Sequence, residues 1–255
     1  MPRRGIKQFI YGVLYLSIFA AIIYYIYGYF FSFGTCFDNR RNQGEEQVDC
    51  GGPCVSCEIA NLKPIEALPV KLVGSGNFTS ALLGFKNPNT SFGASNFRYH
   101  VTFFDNTDTV VSDVVRDSFI YPGDIKTVVE AGVPISISGV SYAKAIIENQ
   151  TWRPISEFSN PDTSIRSARI EQDSIFDGNK ISITGLFVNR EAVSLARADI
   201  YVAVYDRNDV LIGLSSTFIE RISSFEERAF TAIVPISDVS AISTASVRVY
   251  ADSVK

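Results

Sequence analysis

Four cysteines, Cys36, Cys50, Cys54 and Cys57, are the residues of this chain best suited to chemistry, and all lie in one stretch of 22 residues. Thiols so grouped can form disulfides, hold a metal or run redox exchange. The stretch is polar and glycine-containing, with too few apolar side chains for a core of its own. An even cysteine count in such a segment points to structural disulfides in an oxidising compartment. Three pairings are possible. One of them, Cys54 with Cys57, is disfavoured, because two intervening residues give a strained and easily reduced loop. Zinc is the alternative. Cys54-x-x-Cys57 has a ligand-like spacing, but the long gap from Cys36 to Cys50 breaks the usual paired pattern. A redox Cys-x-x-Cys belongs at a helix N-terminus in a βαβ setting, which is not expected here.

Asp38, Asn42, Glu45 and Asp49 are interleaved with these cysteines. Their oxygens could be turned onto calcium, a hard cation that takes six to eight oxygen ligands. Against this, the spacing is not that of an EF-hand loop, and Arg40 and Arg41 oppose a cation. The same side chains could instead cap turns by accepting backbone N–H groups. Calcium is the cofactor that these oxygens could hold; beyond it, none is expected.

Elsewhere the chemistry is sparse. His100 is the only histidine. It sits in the alternating run Phe97-Arg98-Tyr99-His100-Val101, and no triad can be assembled around it. Asp105, Asp108, Asp113 and Asp117 cluster near one expected hairpin, where charged residues are normally solvated. Phosphate-binding glycine loops, His-Glu-x-x-His and Gly-x-Ser-x-Gly are missing from the sequence. No catalytic residues are expected, and the chain reads as a non-enzyme.

The elements that position these residues begin with a membrane anchor. From Phe9 to Phe33 no charge appears, and a helix of that length exceeds the ~30 Å hydrocarbon thickness of a bilayer. Tyr24, Tyr25, Tyr27, Tyr29, Phe30, Phe31 and Phe33 crowd its far half, where rings suit the membrane-water interface. Arg3, Arg4 and Lys7 precede it and favour a cytoplasmic N-terminus, an asymmetry that Arg40 and Arg41 weaken. The apolar run is too long for a typical signal peptide, and no small-x-small site follows it. A lipidated Cys36 is the other reading, but Phe33 and Thr35 fit a processing signal poorly.

Beyond the cysteines the sequence overlays on itself. Gly76-Asn77 matches Gly178-Asn179, Phe85 and Asn87 match Phe187 and Asn189, Val101 and Asp105 match Val202 and Asp206, and Pro134-Ile135-Ser136 matches Pro235-Ile236-Ser237. The offset is 102 and then 101 residues, so each unit spans about a hundred residues, the size of a small β-sandwich. Ile181–Ile183, Ile200–Tyr205 and Val247–Tyr250 alternate in period two, which predicts strands with one buried face. Asn106-Thr107-Asp108 and Arg207-Asn208-Asp209 predict hairpins. Helix is expected mainly in the membrane, since no soluble segment carries a 3.6-residue apolar stripe. Residues 156–163, with Pro161, read as a linker. Trp152 is expected to pack at the junction of the sandwiches, and residues 164–255 to fold alone.

Hydrophobic residues make up 46% of the 255, enough to build cores in two domains of this size. There are 27 acidic residues against 23 basic ones, three of the latter in the N-terminal arm. The exterior is therefore acidic and lacks the clustered positive field that nucleic acid requires.

Cys36, Asp38, Asn42, Glu45, Asp49, Cys50, Gly51, Gly52, Cys54 and Cys57 resemble a cysteine module of bacterial surface proteins, Cys-x-Asp-Gly-x-x-Asn-Gly-x-Glu-Thr-x-x-Asp-Cys-Gly-Gly-x-Cys-x-x-Cys. Asn39, Gln43 and Glu46 depart from it. The resemblance implies a surface-exposed stalk. Val101–Asp105 and Val202–Asp206 resemble the central strand of immunoglobulin-like FxLYD-type domains, with a further similarity to WHy-type sandwiches. Asn87 and Asn189 match an Asn that ends an earlier strand there, and the Pro134 and Pro235 segments match a later strand. This implies a seven-strand-class sandwich with no shared catalytic residues, in which Asn87, Asp105, Asn189 and Asp206 are turn formers.

The expected fold is all-β: two tandem immunoglobulin-like β-sandwiches after one N-terminal transmembrane helix and a disulfide-rich neck. The expected boundaries are 1–33 for arm and helix, 34–60 for the neck, 61–155 for the first sandwich and 156–255 for linker and second sandwich. The expected role is a single-pass, membrane-anchored binding or scaffolding protein of the bacterial envelope, with residues 34–255 outside the cytoplasm. Its partners would be the membrane and an unidentified envelope or surface protein. The alternative is a structural or assembly subunit of an envelope or secretion machine, for which Gly12 and Gly28, not forming a small-xxx-small face, give little support.

Overall fold

Unbroken by proline, the apolar N-terminal run forms helix α1 (Arg3–Phe30) in the computed structural model, which describes residues 3–30, 35–171 and 179–254. Phe31, Phe33 and Gly178, used above to mark the end of the apolar run and the repeat, lie outside the described residues. Among the described residues, 5–28 make the one helix long and apolar enough to cross a membrane. Its Phe9, Tyr15 and Tyr24 side chains are exposed. Residues 1–62 and 63–255 form two compact units.

The larger unit is all-β. Its first seven strands are β1 (Glu66–Ala67), β2 (Lys71–Ser75), β3 (Phe78–Lys86), β4 (Phe92–Phe104), β5 (Val110–Ile120), β6 (Ile125–Val133) and β7 (Tyr142–Pro154). Six follow: β8 (Thr163–Ile170), β9 (Lys180–Asn189), β10 (Leu195–Tyr205), β11 (Leu211–Ile222), β12 (Glu227–Pro235) and β13 (Ser246–Val254). All pairings between them are antiparallel. In the first sandwich β1 and β2 share one edge of β3 and β6 takes the other, while the facing sheet runs β5-β4-β7. In the second sandwich the sheets are β8-β9-β12 and β11-β10-β13. The first thus has seven strands and the second, among the described residues, six.

Period-two patterning explains each core. Along β4, Phe97, Tyr99, Val101 and Phe103 are buried, while the intervening Arg98, His100, Thr102 and Phe104 are exposed or half-buried. Phe85 packs on Phe97 with ring centroids 5.2 Å apart, an edge-on contact that rings favour. In the second core, Ile200, Val202 and Val204 of β10 meet Ile181, Ile183 and Phe187 of β9 and Phe230 of β12. Gly185 is needed there: a Cβ would lie 2.6 Å from the Phe230 ring.

The hairpins form at the expected places and are built alike. The Asp105 Oδ1 accepts the N–H groups of Thr107 (2.8 Å) and Thr109 (2.9 Å), and Asp206 Oδ1 accepts those of Asn208 and Val210 (both 2.8 Å). Asp108 and Asp209 take the left-handed conformation, φ 60° and 61°, which Asp tolerates better than most residues.

Two expectations are corrected. Ile200–Tyr205 was expected to bury a single face, yet β10 buries Val202 to Tyr205 without interruption, and β3 likewise buries Thr79 to Leu83. The second buried face comes from a third apolar cluster, in which Val73, Leu82 and Val129 of the first sandwich meet Ala203, Tyr205 and Leu214 of the second. The two sandwiches therefore stack sheet on sheet. Trp152, expected at their junction, instead lies in β7 opposite Ala94, half-buried against the first core. Helix lies mainly in α1, as expected. A single turn, α2 (Cys57–Ala60), closes the neck, capped by the Ser56 hydroxyl, which accepts the Ile59 N–H at 3.4 Å.

Candidate functional site

The neck is held by two disulfides, Cys36–Cys54 and Cys50–Cys57, with Cα separations of 5.5 and 4.8 Å. The disfavoured Cys54–Cys57 pair is not used, and no thiol is left for zinc or redox exchange among the described residues. Gly51 and Gly52 make the tight turn between Cys50 and Cys54, with φ of 80° and 59°. Any Cβ on Gly52 would lie 2.6 Å from the Gly44 carbonyl oxygen.

Of the four candidate ligands, Asp38, Glu45 and Asp49 are turned onto the neck's own backbone, while the Asn42 oxygen is buried without a hydrogen-bond partner. Asp49 accepts the N–H groups of Asp38 (3.0 Å) and Asn39 (3.1 Å), and Asp38 accepts that of Arg40 (2.9 Å). Glu45, buried, accepts those of Asn42 (3.2 Å) and Asp49 (3.3 Å). Asn42 donates its amide to Asp38 at 2.8 Å, so the nitrogen, not the oxygen, faces that carboxylate. This hydrogen bond, chiefly, holds the Asp38 carboxyl below its ordinary range. Among the described residues no cluster of His, Cys, Asp and Glu is arranged to hold a metal. The arrangement is that of turn caps.

Asn87 and Asn189 do more than end a strand. Both are 1% exposed. The Asn87 amide donates to the carbonyls of Phe92 (2.7 Å) and Tyr121 (3.0 Å), and its oxygen accepts the Asn89 N–H (2.9 Å). Asn189 likewise donates to Val193 and Ser223 (both 2.9 Å) and accepts from Glu191 (3.1 Å). Each amide ties its own strand connection to a second one at one end of its sandwich, β3–β4 to β5–β6 for Asn87 and β9–β10 to β11–β12 for Asn189, which explains an Asn at a core position.

His100 stands on the outer face of the β5-β4-β7 sheet, 3.6 Å from Asp113 and 3.5 Å from Glu148. The neighbouring aspartates are dispersed among partners: Asp117 with Arg98 (3.0 Å), Asp113 with the Thr102 hydroxyl (2.8 Å) and Asp108 with the Tyr142 hydroxyl (2.8 Å). The structure brings none of them together around a reacting centre.

Charged chemistry concentrates instead in a cleft of about 570 Å³ between the sandwiches, a size and position common for binding sites. At its floor the Lys126 ammonium of β6 meets the Asp252 carboxylate of β13, and it sits 3.6 Å from the centre of the Phe119 ring. The two charged side chains are only 5% and 14% exposed. Burial depresses the Lys126 pKa and raises that of Asp252, each partner opposing the shift of the other. On the walls, Tyr99 donates to Glu130 (2.7 Å), Arg116 reaches Glu130 (3.6 Å), and Arg197 pairs with Asp199 (2.7 Å) while lying over Phe218. Burial first, and then neighbouring carboxylates, push the Tyr99 and Tyr201 hydroxyls well above their usual range. Elsewhere on the junction, Tyr121 donates to the Ser253 carbonyl (3.2 Å), and burial with Asp252 pushes its pKa up to about 12.

Sequence reasoning missed this site. Its signal was the unbroken run Ile200–Tyr205: six consecutive apolar residues mark a strand buried on both faces, not one.

No family model matches the chain, and no curated protein does. Among solved structures, a crystal structure of red sea bream transglutaminase aligns with 73% of this chain at 11% identity and a TM-score of 0.25. The chain spans 29% of the length of that enzyme.

Proposed function

We propose that this chain is a single-pass, membrane-anchored binding or scaffolding protein of a bacterial envelope. Its short N-terminal arm is cytoplasmic, and the neck and sandwiches lie outside. The observation that carries the reading is the order along the chain: an apolar helix able to span a bilayer, then within a few residues two disulfides, which persist where the medium is oxidising. The two sandwiches are duplicated, FxLYD-type modules. This is supported by the matching Asn87 and Asn189 networks and the matching Asp105 and Asp206 turns. The work is binding and not catalysis, because the polar groups gathered in the cleft and on the outer sheets are engaged with each other. The partner is an envelope or surface protein, contacted through sandwich faces and end loops, and nucleic acid is not a ligand of this acidic exterior.

The test is to blot the native chain from cells lysed in an alkylating agent without reductant. The account expects it in the alkali-washed membrane fraction, with peptide mapping giving Cys36–Cys54 and Cys50–Cys57. Recovery in the soluble fraction with four alkylated cysteines would refute it.

A further inference from the structure

The apolar contacts between the sandwiches are non-directional. Val73, Leu82 and Val129 against Ala203, Tyr205 and Leu214 would bury similar area at several rotations of one sheet over the other. A buried ion pair differs, since separating it leaves each charge dry and unpaired. Lys126 and Asp252 meet across this junction, both nearly inaccessible, with Phe119 covering the ammonium. We propose that the Lys126–Asp252 pair is the positioning device that fixes a single rotational setting of the second sandwich on the first.

The strand registers show that the pair is special to this junction. Lys126 lies opposite Phe85, and Arg228 takes the same place opposite Phe187 in the second sandwich. Arg228 is satisfied within its own sandwich, by Glu226 and by the carbonyls of Glu220 and Arg221. Asp252 lies opposite Asp199, and Glu148 takes the same place opposite Arg98 in the first sandwich, where it is half-exposed beside His100. Each sandwich thus bears a cation on one sheet and an acid on the other. Only where β10, β11 and β13 dock on β3 and β6 are one of each brought together and closed off from water. The docking faces are also polar where no sandwich covers them: Thr184 and Thr231 stand at the register positions of Leu82 and Val129.

The test uses the full chain in detergent, with nitroxide labels at Asn106→Cys and Val193→Cys, exposed loop positions in the first and second sandwich, and electron-electron distance measurement between them. The parent should give one narrow distance distribution. Lys126→Met/Asp252→Leu removes the charges but keeps apolar bulk, and it should stay folded with a distribution at least twice as broad, or split. The exchanged pair Lys126→Asp/Asp252→Lys should return to a narrow distribution, while Lys126→Asp alone should be broad. A parent-like width in the apolar double variant would overturn the proposal, because apolar contacts alone would then set the orientation. If that variant does not fold, an exchanged pair as broad as Lys126→Asp alone would overturn it equally.

Discussion

At the scale of single residues, the buried asparagines give the sharpest expectation. Asn189→Ala would strip the Val193 and Ser223 carbonyls and the Glu191 N–H of their partner, which should cost about 1–3 kcal/mol in chemical denaturation, as lost hydrogen bonds of a buried side chain do. A change within ±0.5 kcal/mol would show that water takes over the amide's role. Asp206 supplies a pH expectation. Hydrogen bonds from the Val210 N–H first, and then from Asn208, hold its carboxyl below the ordinary 3.8. The folded value lies below the unfolded one (~3.9), so the contribution to stability is present above that pH and is lost as pH falls through the folded value. A carboxylate carbon titration by NMR should place Asp206 below 3.8, and a midpoint at or above that figure would contradict the turn geometry. The Asp206 turn was legible from Asp-Arg-Asn-Asp between two apolar runs. The Asn189 network was not, because its partners lie on segments 4 and 34 residues away, and nothing local marks an amide as a staple.

At the scale of elements, β10 separates what period two could and could not disclose. Alternation puts Val202 and Val204 on one face, and both lie in the second core. Ala203 and Tyr205, on the opposite face, are buried as well, because a second sheet covers them. Alternation reports which residues share a face, while burial of the other face depends on contacts with Val73, Leu82 and Val129, far away in the sequence. The two faces predict different failures. Val204→Asp places an unpaired charge in the core and should cost more than about 4 kcal/mol, unfolding the second sandwich. Leu214→Asp places it in the junction, and should leave both sandwiches with dispersed amide spectra while the hydrodynamic radius grows. If both variants unfold the second sandwich alike, the junction and the core are one cooperative structure.

At the scale of the whole molecule, the long apolar helix, the disulfide-bonded neck and the all-β unit beyond it were readable from composition, from cysteine grouping and from the self-overlay of the sequence. The sheet-on-sheet stack was not, because each sandwich alone satisfies its own pattern. A fragment of residues 164–255 would now expose Ala203, Tyr205, Leu214 and an unpaired Asp252, all buried in the chain of two sandwiches. The central claim concerns which side of the membrane that stack occupies, and protease added to intact cells tests it most directly. The account predicts that the sandwiches are removed while a small fragment containing α1 remains membrane-protected. Full protection of residues 63–255 until the membrane is breached would contradict it.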